Sequence, residues 1–323
     1  MEMKRKKKVG SRPQNVNIRK EGTSASHEPA GGCAGRDAAA RNGTAAHPAA
    51  HDNVGGRAGG GIEIRVGYAT AAAAGISGDA AASCGLPGGS RALILSDGMG
   101  KGIKAAAGSR LVVTRLRRNL KAGMPVAKAI KEVNRYMIEQ AEAAALKNSG
   151  SGMDIAADRS GKADIAADRS SKGCIGEDFA TVDLTVIDRQ SRRARFYKMG
   201  AATTFIMRQG RVRRIKGAAL PVGIIPRLRL THISAVLREG DLIVMVSDGI
   251  TDADRNDPEA CWLCEYLSDT IYTADFDVGR LSAREIASDI LAEAEARYGS
   301  RERDDLTVAA ALIVRGHTDG TKE

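Results

Sequence analysis

The sequence predicts an α+β protein, an α/β sandwich with an antiparallel core. Three observations indicate this fold class: strand-like segments open the globular region, two amphipathic helices follow them, and a series of short strands comes next. Turn signals such as Gln209-Gly210 and Glu239-Gly240 separate several of these strands. Hairpins are therefore expected, which favours an antiparallel meander over a series of parallel crossovers.

The first elements have clear periodicities. Residues 62–66 alternate apolar and polar side chains, as a half-buried strand does, and residues 92–95 are fully apolar, as a buried strand is. A helix is predicted over 101–120, where apolar residues recur every four positions. Pro125 suits the first turn of a second amphipathic helix that runs towards Leu146.

The second half of the chain is predicted to be rich in strands. They are expected at 179–187, 194–199, 203–207, 212–215, 228–236 and 242–246. A helix is predicted over 260–268, and another begins after Ser282, where Glu285 stands at capping-box spacing. A last strand over 306–314 completes the pattern.

Residues 1–60 form a basic, Gly/Ala-rich tail that is expected to be disordered. The segment has no sustained apolar run, and its eleven Lys and Arg outnumber its five Asp and Glu. The tail therefore contributes most of the chain's net charge of +10. The cluster Lys4–Lys8 is interpreted as a solvated arm, not as a contact for nucleic acid or a membrane.

One globular domain is predicted over 61–316, interrupted at 147–176 and followed by a disordered C-terminus at 317–323. The interruption contains a unit that recurs with a period of ten residues, first at 154–160 and again at 164–170. Two copies are too few for a solenoid, and the surrounding Gly, Ser, Lys and Asp favour a flexible insertion.

The five cysteines and the absence of long apolar segments indicate a cytoplasmic protein. An odd number of cysteines without paired spacing does not suggest a disulfide framework, and Cys261 and Cys264 form a lone C-x-x-C that is interpreted as packing thiols. No apolar region follows the basic start of the chain, so a secretory signal is not predicted. No segment reaches the length of a membrane span.

Four acidic turns beside predicted strands are the candidate functional sites. Asp97 and Asp248 each end an apolar strand in the pattern Ser-Asp-Gly, while Asp79 and Asp304 lie near the two ends of the globular region. Mg²⁺ and Mn²⁺ prefer carboxylate oxygens, often supplied by separate turns at strand ends. Taken one at a time, each aspartate is better explained as an ordinary turn or loop residue.

Taken together and in this order, the turns resemble the metal-dependent protein phosphatases of the 2C type, and most closely the stage II sporulation protein E phosphatase family. The resemblance covers residues 62–315. The motifs that carry it are Ser77-Gly-Asp79, Ser96-Asp-Gly-Met-Gly100, Ala129-Ile-Lys-Glu-Val-Asn134, Phe179-Ala-Thr-Val-Asp183, Leu220-Pro-Val-Gly-Ile224, Gly240-Asp-Leu-Ile-Val-Met-Val-Ser-Asp-Gly249 and Asp304-Asp-Leu-Thr307.

This resemblance implies a four-layer α/β/β/α sandwich in which two central antiparallel sheets are flanked by helices, with two Mn²⁺ or Mg²⁺ ions at one end. The metal ligands that it implies are Asp79, Asp97, the Gly98 carbonyl, Asp248 and Asp304. Asp97 would bridge the two ions, and Asp97 and Asp248 would act in catalysis through a metal-bound water. Asp305 and Asp252 are expected beside the metals without binding them.

The chemistry implied is hydrolysis of phosphoserine by a metal-activated water, without a phosphoenzyme. Met99 stands where many eukaryotic relatives carry His, and a thioether cannot donate a proton to the leaving serine oxygen. No catalytic histidine is therefore predicted. Ala80, where relatives commonly carry Ser, and Thr203, where many carry Pro, also depart from the family pattern.

Several functional hypotheses remain open at this level. The resemblance implies a phosphorylated anti-sigma factor antagonist as the substrate in sporulation sigma-factor activation, and a homodimer is possible. Alternatives are a phosphatase for a general-stress antagonist, or a latent pseudophosphatase that binds its partner without turnover, since relatives usually carry an N-terminal membrane region that is expected to be absent here. A nucleic-acid-binding role for the tail is not favoured, because no aromatic residues are interleaved with its charges.

Overall fold

The structure is a computed structural model that describes residues 61–100, 102–149, 179–218, 220–257, 259–272 and 282–316. The predicted tail at 1–60, the predicted C-terminus at 317–323 and nearly all of the predicted insertion lie outside the described residues. The second helix continues three residues into that insertion, to Ser149.

The described elements comprise ten strands and five α-helices. The strands are β1 (Ile62–Ala71), β2 (Asp79–Gly85), β3 (Arg91–Asp97), β4 (Val182–Ile187), β5 (Arg193–Met199), β6 (Thr204–Arg208), β7 (Arg211–Ile215), β8 (Ile233–Val236), β9 (Leu242–Val246) and β10 (Leu306–Arg315). The helices are α1 (Gly102–Lys121), α2 (Val126–Ser149), α3 (Asp248–Thr251), α4 (Cys261–Glu265) and α5 (Ala283–Tyr298). Within the described ranges, no helix combines the length and the apolar character that a bilayer span requires.

The strands form two five-stranded sheets in which every pairing between neighbouring strands is antiparallel. The first sheet has the order β1-β10-β9-β6-β7, and the second has the order β2-β3-β4-β5-β8. The N-terminal and C-terminal strands of the domain pair along their full length, from Ile62 opposite Arg315 to Ala71 opposite Leu306. The first sheet therefore joins the two ends of the described domain.

The two sheets pack face to face and each is covered by helices on its other face. Leu95 and Phe196 of the second sheet share a core with Met245 of the first sheet. A second core lies between α1, α2 and the second sheet, and a third lies between α4, α5 and the first sheet. These layers confirm the predicted four-layer α/β/β/α sandwich. They also explain why β3 and β9, which have a core on each side, are apolar almost throughout.

Three elements differ from the sequence predictions. Strand β2 was not predicted, because Asp-Ala-Ala-Ala-Ser-Cys-Gly lacks the β-branched and aromatic residues that mark strands, and its pairing with β3 determines its conformation. The strand predicted over 228–236 is limited to β8, which pairs with β5 only from Ile233 onward. The helix predicted over 260–268 is the short α4, followed by a π-helical segment at Tyr266–Ile271. The predicted capping box at Ser282 and Glu285 is confirmed.

A buried polar network, built on an ion pair within the second sheet, connects the two sheets. The Lys198 ammonium on β5 contacts the Asp183 carboxylate on β4, and both side chains are inaccessible to solvent. Lys198 Nζ also donates to Thr204 Oγ1 on β6 at 2.7 Å, and that hydroxyl donates to Asp183 Oδ2 at 2.6 Å. Because β6 belongs to the other sheet, this polar network fixes how the two sheets face each other. Burial lowers the pKa of Lys198, and the nearby Asp183 charge opposes this shift.

Replacing Lys198 with Met should lower the free energy of unfolding by about 3–5 kcal/mol, because the buried Asp183 carboxylate loses its counter-charge. Urea denaturation measures this loss. The double replacement Lys198→Met with Asp183→Leu removes both charges and should recover most of the stability. Equal stability of the wild-type chain and the Lys198→Met variant would show that the ion pair does not stabilise the fold.

Candidate metal centre

The four predicted aspartates come from two sheets and lie at one end of the sandwich. In the second sheet, Asp79 begins β2 and Asp97 ends β3, and the antiparallel register sets them directly opposite each other. In the first sheet, Asp248 follows β9 and Asp304 precedes β10, the strand that pairs with β9. Each sheet therefore contributes two carboxylates to the same end.

The serine of each Ser-Asp-Gly pattern fastens its turn to a neighbouring strand or segment. Ser96 Oγ donates to the Thr181 carbonyl at 2.6 Å, and Ser247 Oγ accepts from the Thr307 backbone N–H at 2.9 Å. Both serines are buried. Their role is therefore to position the aspartate that follows each of them.

Thr181 is a site residue to which the sequence analysis assigned no role. Its hydroxyl accepts the backbone N–H of Asp97 at 2.8 Å, and its own N–H donates to the Asp97 carbonyl at 2.8 Å. The end of β3 is thereby held on both sides of the Asp97 side chain. Thr181 lies in the family motif Phe179–Asp183, which the sequence reveals, but its contact with Asp97 is visible only in the structure.

Glycine follows both aspartates because other backbone segments pack against it. A Cβ at Gly98 would lie 1.9 Å from the Ala105 carbonyl oxygen of α1, and a Cβ at Gly249 would lie 2.3 Å from the Asp305 carbonyl oxygen. Any larger residue would push α1 or the start of β10 away from the site. The Gly249 carbonyl is moreover occupied, since it accepts the Tyr298 hydroxyl at 2.8 Å.

The Leu220–Ile225 segment reaches Gly98 through paired backbone. Val222 pairs with Ala180, which in turn pairs with Gly98. The buried Asn134 of α2 holds the segment, because its Oδ1 accepts from the Gly223 N–H at 2.8 Å and its Nδ2 donates to the Ile225 carbonyl at 2.9 Å. The sequence predicted Asn134 only as part of a family motif, because its partner Ile225 lies 91 residues further along the chain.

Asp305 uses both carboxylate oxygens to hold the connection between β1 and β2. Its Oδ1 accepts from the Ala73 N–H at 2.7 Å, and its Oδ2 accepts from the Gly78 N–H at 2.6 Å. This connection leads directly into Asp79. The geometry therefore supports a positioning role for Asp305.

Asp252 ends the short helix α3, which begins at Asp248. Its backbone N–H donates to the Asp248 carbonyl at 2.8 Å. The Asp248 residue is exposed, but nearby protein atoms partly exclude water from its carboxyl group and so raise its pKa. The charges of Asp304 and Asp252 raise this pKa further. Asp252 therefore affects the candidate site by raising the pKa of Asp248 with its charge.

Burial and mutual repulsion keep protons on the two inner carboxyl groups. Burial raises the pKa of Asp97 to about 8, and the charges of Asp248, Asp79, Asp304 and Asp305 add to this effect. Burial likewise raises the pKa of Asp79 to about 7, although the hydroxyl groups of Thr307 and Ser247 partly oppose the shift. The five carboxyl groups thus lie within range of one another's charge.

This arrangement has the chemistry of a cation site, because oxygen ligands of like charge are gathered where solvent is partly excluded. Asp79 Oδ2 is buried and has no hydrogen-bond partner among the described residues. A bound cation would supply the missing partner. Among the described residues, no group of three acidic, His or Cys side chains has the spacing of a formed metal site.

A cleft of about 890 Å³ opens beside the carboxylates. Four chain segments form its walls: the β1–β2 connection, the turn before α1, the loop after α3 and the loop before β10. Residues that line it are Ala73, Ala74, Ile76, Gly100, Gly102, Asp252, Asp254, Arg255, Tyr298, Arg301, Glu302, Arg303, Asp304 and Asp305. The same segments that carry the acidic residues therefore shape a space large enough for part of a protein ligand.

Comparison with known proteins identifies relatives over most of the described domain. The family described as stage II sporulation protein E matches residues 87–313. Stage II sporulation protein E of Bacillus subtilis is 26% identical over 253 residues, which are 77% of this chain and 26% of that protein. The chain thus spans about a quarter of the length of this curated relative.

Solved structures show the same fold. The PP2C phosphatase domain of SpoIIE from Bacillus subtilis, solved with a fragment of its regulatory domain, has a TM-score of 0.61 and 24% identity, covering 80% of this chain and 65% of that one. RsbX in complex with magnesium has a TM-score of 0.51 and 14% identity, covering 78% of this chain and 96% of that one. The architecture is therefore that of a PP2C phosphatase domain.

Without metal, the chain should lose stability as the pH rises from about 4 to about 8. Unfolded carboxyl groups release their protons near pH 4, whereas folded Asp79 and Asp97 keep theirs until about 7 and about 8. The folded state then binds more protons, so the free energy of unfolding falls across this window. Urea denaturation in a chelator at several pH values measures the change.

The Asp97→Asn variant tests the cause of that pH dependence. At about pH 8 it should stabilise the metal-free chain by about 1–3 kcal/mol, because an uncharged amide replaces a repelled carboxylate. Asp289→Asn, a change at an exposed carboxylate on α5, is the matched control. Stability that rises with pH in the metal-free chain would contradict the proposed repulsion.

Replacing Asp305 with Ala should release the connection before β2. Two backbone N–H groups lose their acceptor, so a loss of about 1–3 kcal/mol in stability is expected, with faster amide hydrogen exchange at Ala73 and Gly78. Asp305→Asn keeps one carbonyl oxygen and should give an intermediate result. Unaltered exchange at both amides in the Ala variant would exclude this anchoring role.

Proposed function

This chain belongs to the stage II sporulation protein E family, and we propose that it is a metal-dependent protein serine phosphatase. The observation that carries the proposal is the group of carboxylates from two sheets, which raise one another's pKa at the edge of a large cleft. Family membership supports a phosphorylated anti-sigma factor antagonist as the substrate. The whole relatives are much longer than this chain, so their activities enter here as proposals.

The proposed ligands of two Mn²⁺ or Mg²⁺ ions come from four separate segments. They are Asp79, Asp97, the Gly98 carbonyl, Asp248 and Asp304. When bound, such a pair of cations lowers the pKa of a water molecule and neutralises the phosphoryl oxygens as charge develops. The magnesium in the RsbX structure supports this class of ion.

Asp97 is the proposed central ligand, because its backbone is held most completely. Thr181 fixes it on both sides, and α1 packs directly on the following Gly98. Asp248 is the second proposed catalytic carboxylate, and its exposure at the rim lets it reach a group that enters from the cleft. Together these two residues would orient the attacking water.

The leaving serine oxygen needs a proton, and the described residues next to Gly98 in the sequence, Asp97 and Met99, include no histidine to donate it. Met99 is 44% exposed at this position, and its thioether carries no proton. His232 stacks against the Tyr197 ring, with 5.3 Å between ring centroids, and does not line the cleft. We therefore propose water as the proton source, without a phosphoenzyme and without a catalytic histidine.

A latent state is the second candidate. It is supported by the lack, among the described residues, of a group of three side chains with the spacing of a formed metal site. In this state the chain would bind its phosphorylated partner but hydrolyse it only after a further interaction had drawn the ligands together. A sporulation antagonist and a general-stress antagonist are equally compatible with this geometry.

A Mn²⁺ titration tests the proposed function. Hydrolysis of p-nitrophenyl phosphate and of a phosphorylated anti-sigma factor antagonist should rise with Mn²⁺ and saturate. Asp97→Asn should lower kcat/KM by about 100-fold or more, because it removes the ligand proposed to bridge both ions. Asp289→Asn should behave like the wild-type chain.

Calorimetry distinguishes the two candidates. Weak or absent Mn²⁺ binding without turnover, in a chain that still binds the phosphorylated antagonist, would favour the latent state. Absence of both binding and turnover, together with identical behaviour of Asp97→Asn and wild type, would refute the metal-dependent phosphatase.

A further inference from the structure

The cleft beside the carboxylates is larger than a phosphate group requires, and one of its walls is apolar. Its volume of about 890 Å³ is near the upper end of the range for small-molecule pockets. Ile76 lines it and is 43% exposed, so its side chain is available for an apolar contact with a ligand. The cleft therefore has space and an apolar contact for residues beside a phosphorylated side chain.

Two of the arginines that line the cleft, Arg301 and Arg303, form hydrogen bonds or ion pairs within the protein. Arg301 Nη2 donates to the Ala253 carbonyl at 2.5 Å and to the Arg297 carbonyl at 2.9 Å. Arg303 donates to the Ala72 carbonyl at 3.1 Å and forms an ion pair with Glu295 at 3.0 Å. These hydrogen bonds hold the C-terminal end of α5 and the loop before β10, so the N–H groups involved are already used within the protein.

Arg255 differs from both. It is exposed, it lines the same cleft, and it makes no hydrogen bond or ion pair with any residue that the structure describes. Its neighbour Asp254 is engaged, because Asp254 Oδ1 accepts the Asn256 N–H at 3.0 Å and its Oδ2 lies 3.9 Å from Arg297. Among the described residues of the cleft wall, Arg255 is therefore the arginine whose guanidinium group has no hydrogen bond or ion pair within the protein.

Arg255 forms no ion pair with the carboxylates of the candidate metal centre. The carboxylates of Asp252 and Asp304 also line the cleft, yet neither forms an ion pair with Arg255. A phosphoryl group held at the carboxylate cluster would thus leave the guanidinium free to meet a second anionic group on the ligand. A fork-shaped guanidinium suits a carboxylate, which it can bind through two parallel hydrogen bonds.

From this arrangement we infer that Arg255 is a specificity-determining residue that binds an acidic side chain next to the phosphoserine of the protein substrate. The inference rests on the proposed phosphatase function and narrows its substrate class to phosphoserine segments with a flanking Asp or Glu. Ile76 supplies an apolar contact to the same segment. The interaction is electrostatic and partly exposed, so it weakens with increasing salt.

The test compares two phosphoserine peptides that differ only in their flanking residues, Asp and Glu in one, Asn and Gln in the other. In the wild-type chain with Mn²⁺, KM should be lower for the acidic peptide. Arg255→Glu should raise KM for the acidic peptide about tenfold more than KM for the amide peptide or for p-nitrophenyl phosphate. Arg255→Lys should retain part of the preference.

Arg211→Glu is the matched control, because Arg211 is an exposed arginine on β7 outside the cleft. It should leave the preference for the acidic peptide intact. Equal effects of Arg255→Glu on all three substrates would overturn the inference, since Arg255 would then act on the phosphoryl group or on the fold. Loss of preference in the Arg211→Glu variant would overturn it too.

Binding is measured in parallel, by fluorescence anisotropy of the two labelled peptides with Asp97→Asn in Mn²⁺. Failure of the wild-type chain to hydrolyse p-nitrophenyl phosphate would count against an active phosphatase but not against the role of Arg255, because the binding comparison still reports on Arg255. Tighter binding of the acidic peptide that is lost on adding Arg255→Glu supports the inference. Equal binding of both peptides, or no binding of either, refutes it.

Discussion

The repulsion between carboxylates at one end of the sandwich is the constraint on which the rest of the structure depends. Burial raises the pKa of Asp79 and Asp97, so their ionised forms are unfavourable unless a cation is present. A chain that gathers such groups needs a rigid frame, because the carboxylates themselves favour separation. Thr181 and Asp305 provide that frame with hydrogen bonds to the backbone around Asp97 and Asp79.

The frame extends from the site into the core. Gly98 and Gly249 let α1 and the start of β10 approach the two Asp-Gly turns closely, so the helix layer and the sheet layer both determine where the carboxylates lie. The ion pair between Lys198 and Asp183, joined by Thr204, links the two sheets that supply these turns. A change in how the sheets face each other would therefore change the distances between the aspartates.

The site has a buried part and an exposed part, and the two suit different tasks. Asp79 is buried and Asp97 is half-buried, which suits the proposed role of these carboxylates as metal ligands. Asp304 and Arg255 are exposed along the cleft, where they can meet a protein ligand, and Asp248 is exposed as well.

The sequence by itself determined the fold class, most of the strands and helices, and the order of the acidic turns. These features depend on local signals: apolar residues at periods of two or 3.6, turn residues between strands, and the capping box at Ser282. Only the tertiary structure decided that β2 is a strand, which partner strand each element joins, and which residues support the aspartates. Asp305, for example, binds the Ala73 amide 232 positions away. Such contacts arise when layers pack, and no local pattern encodes them.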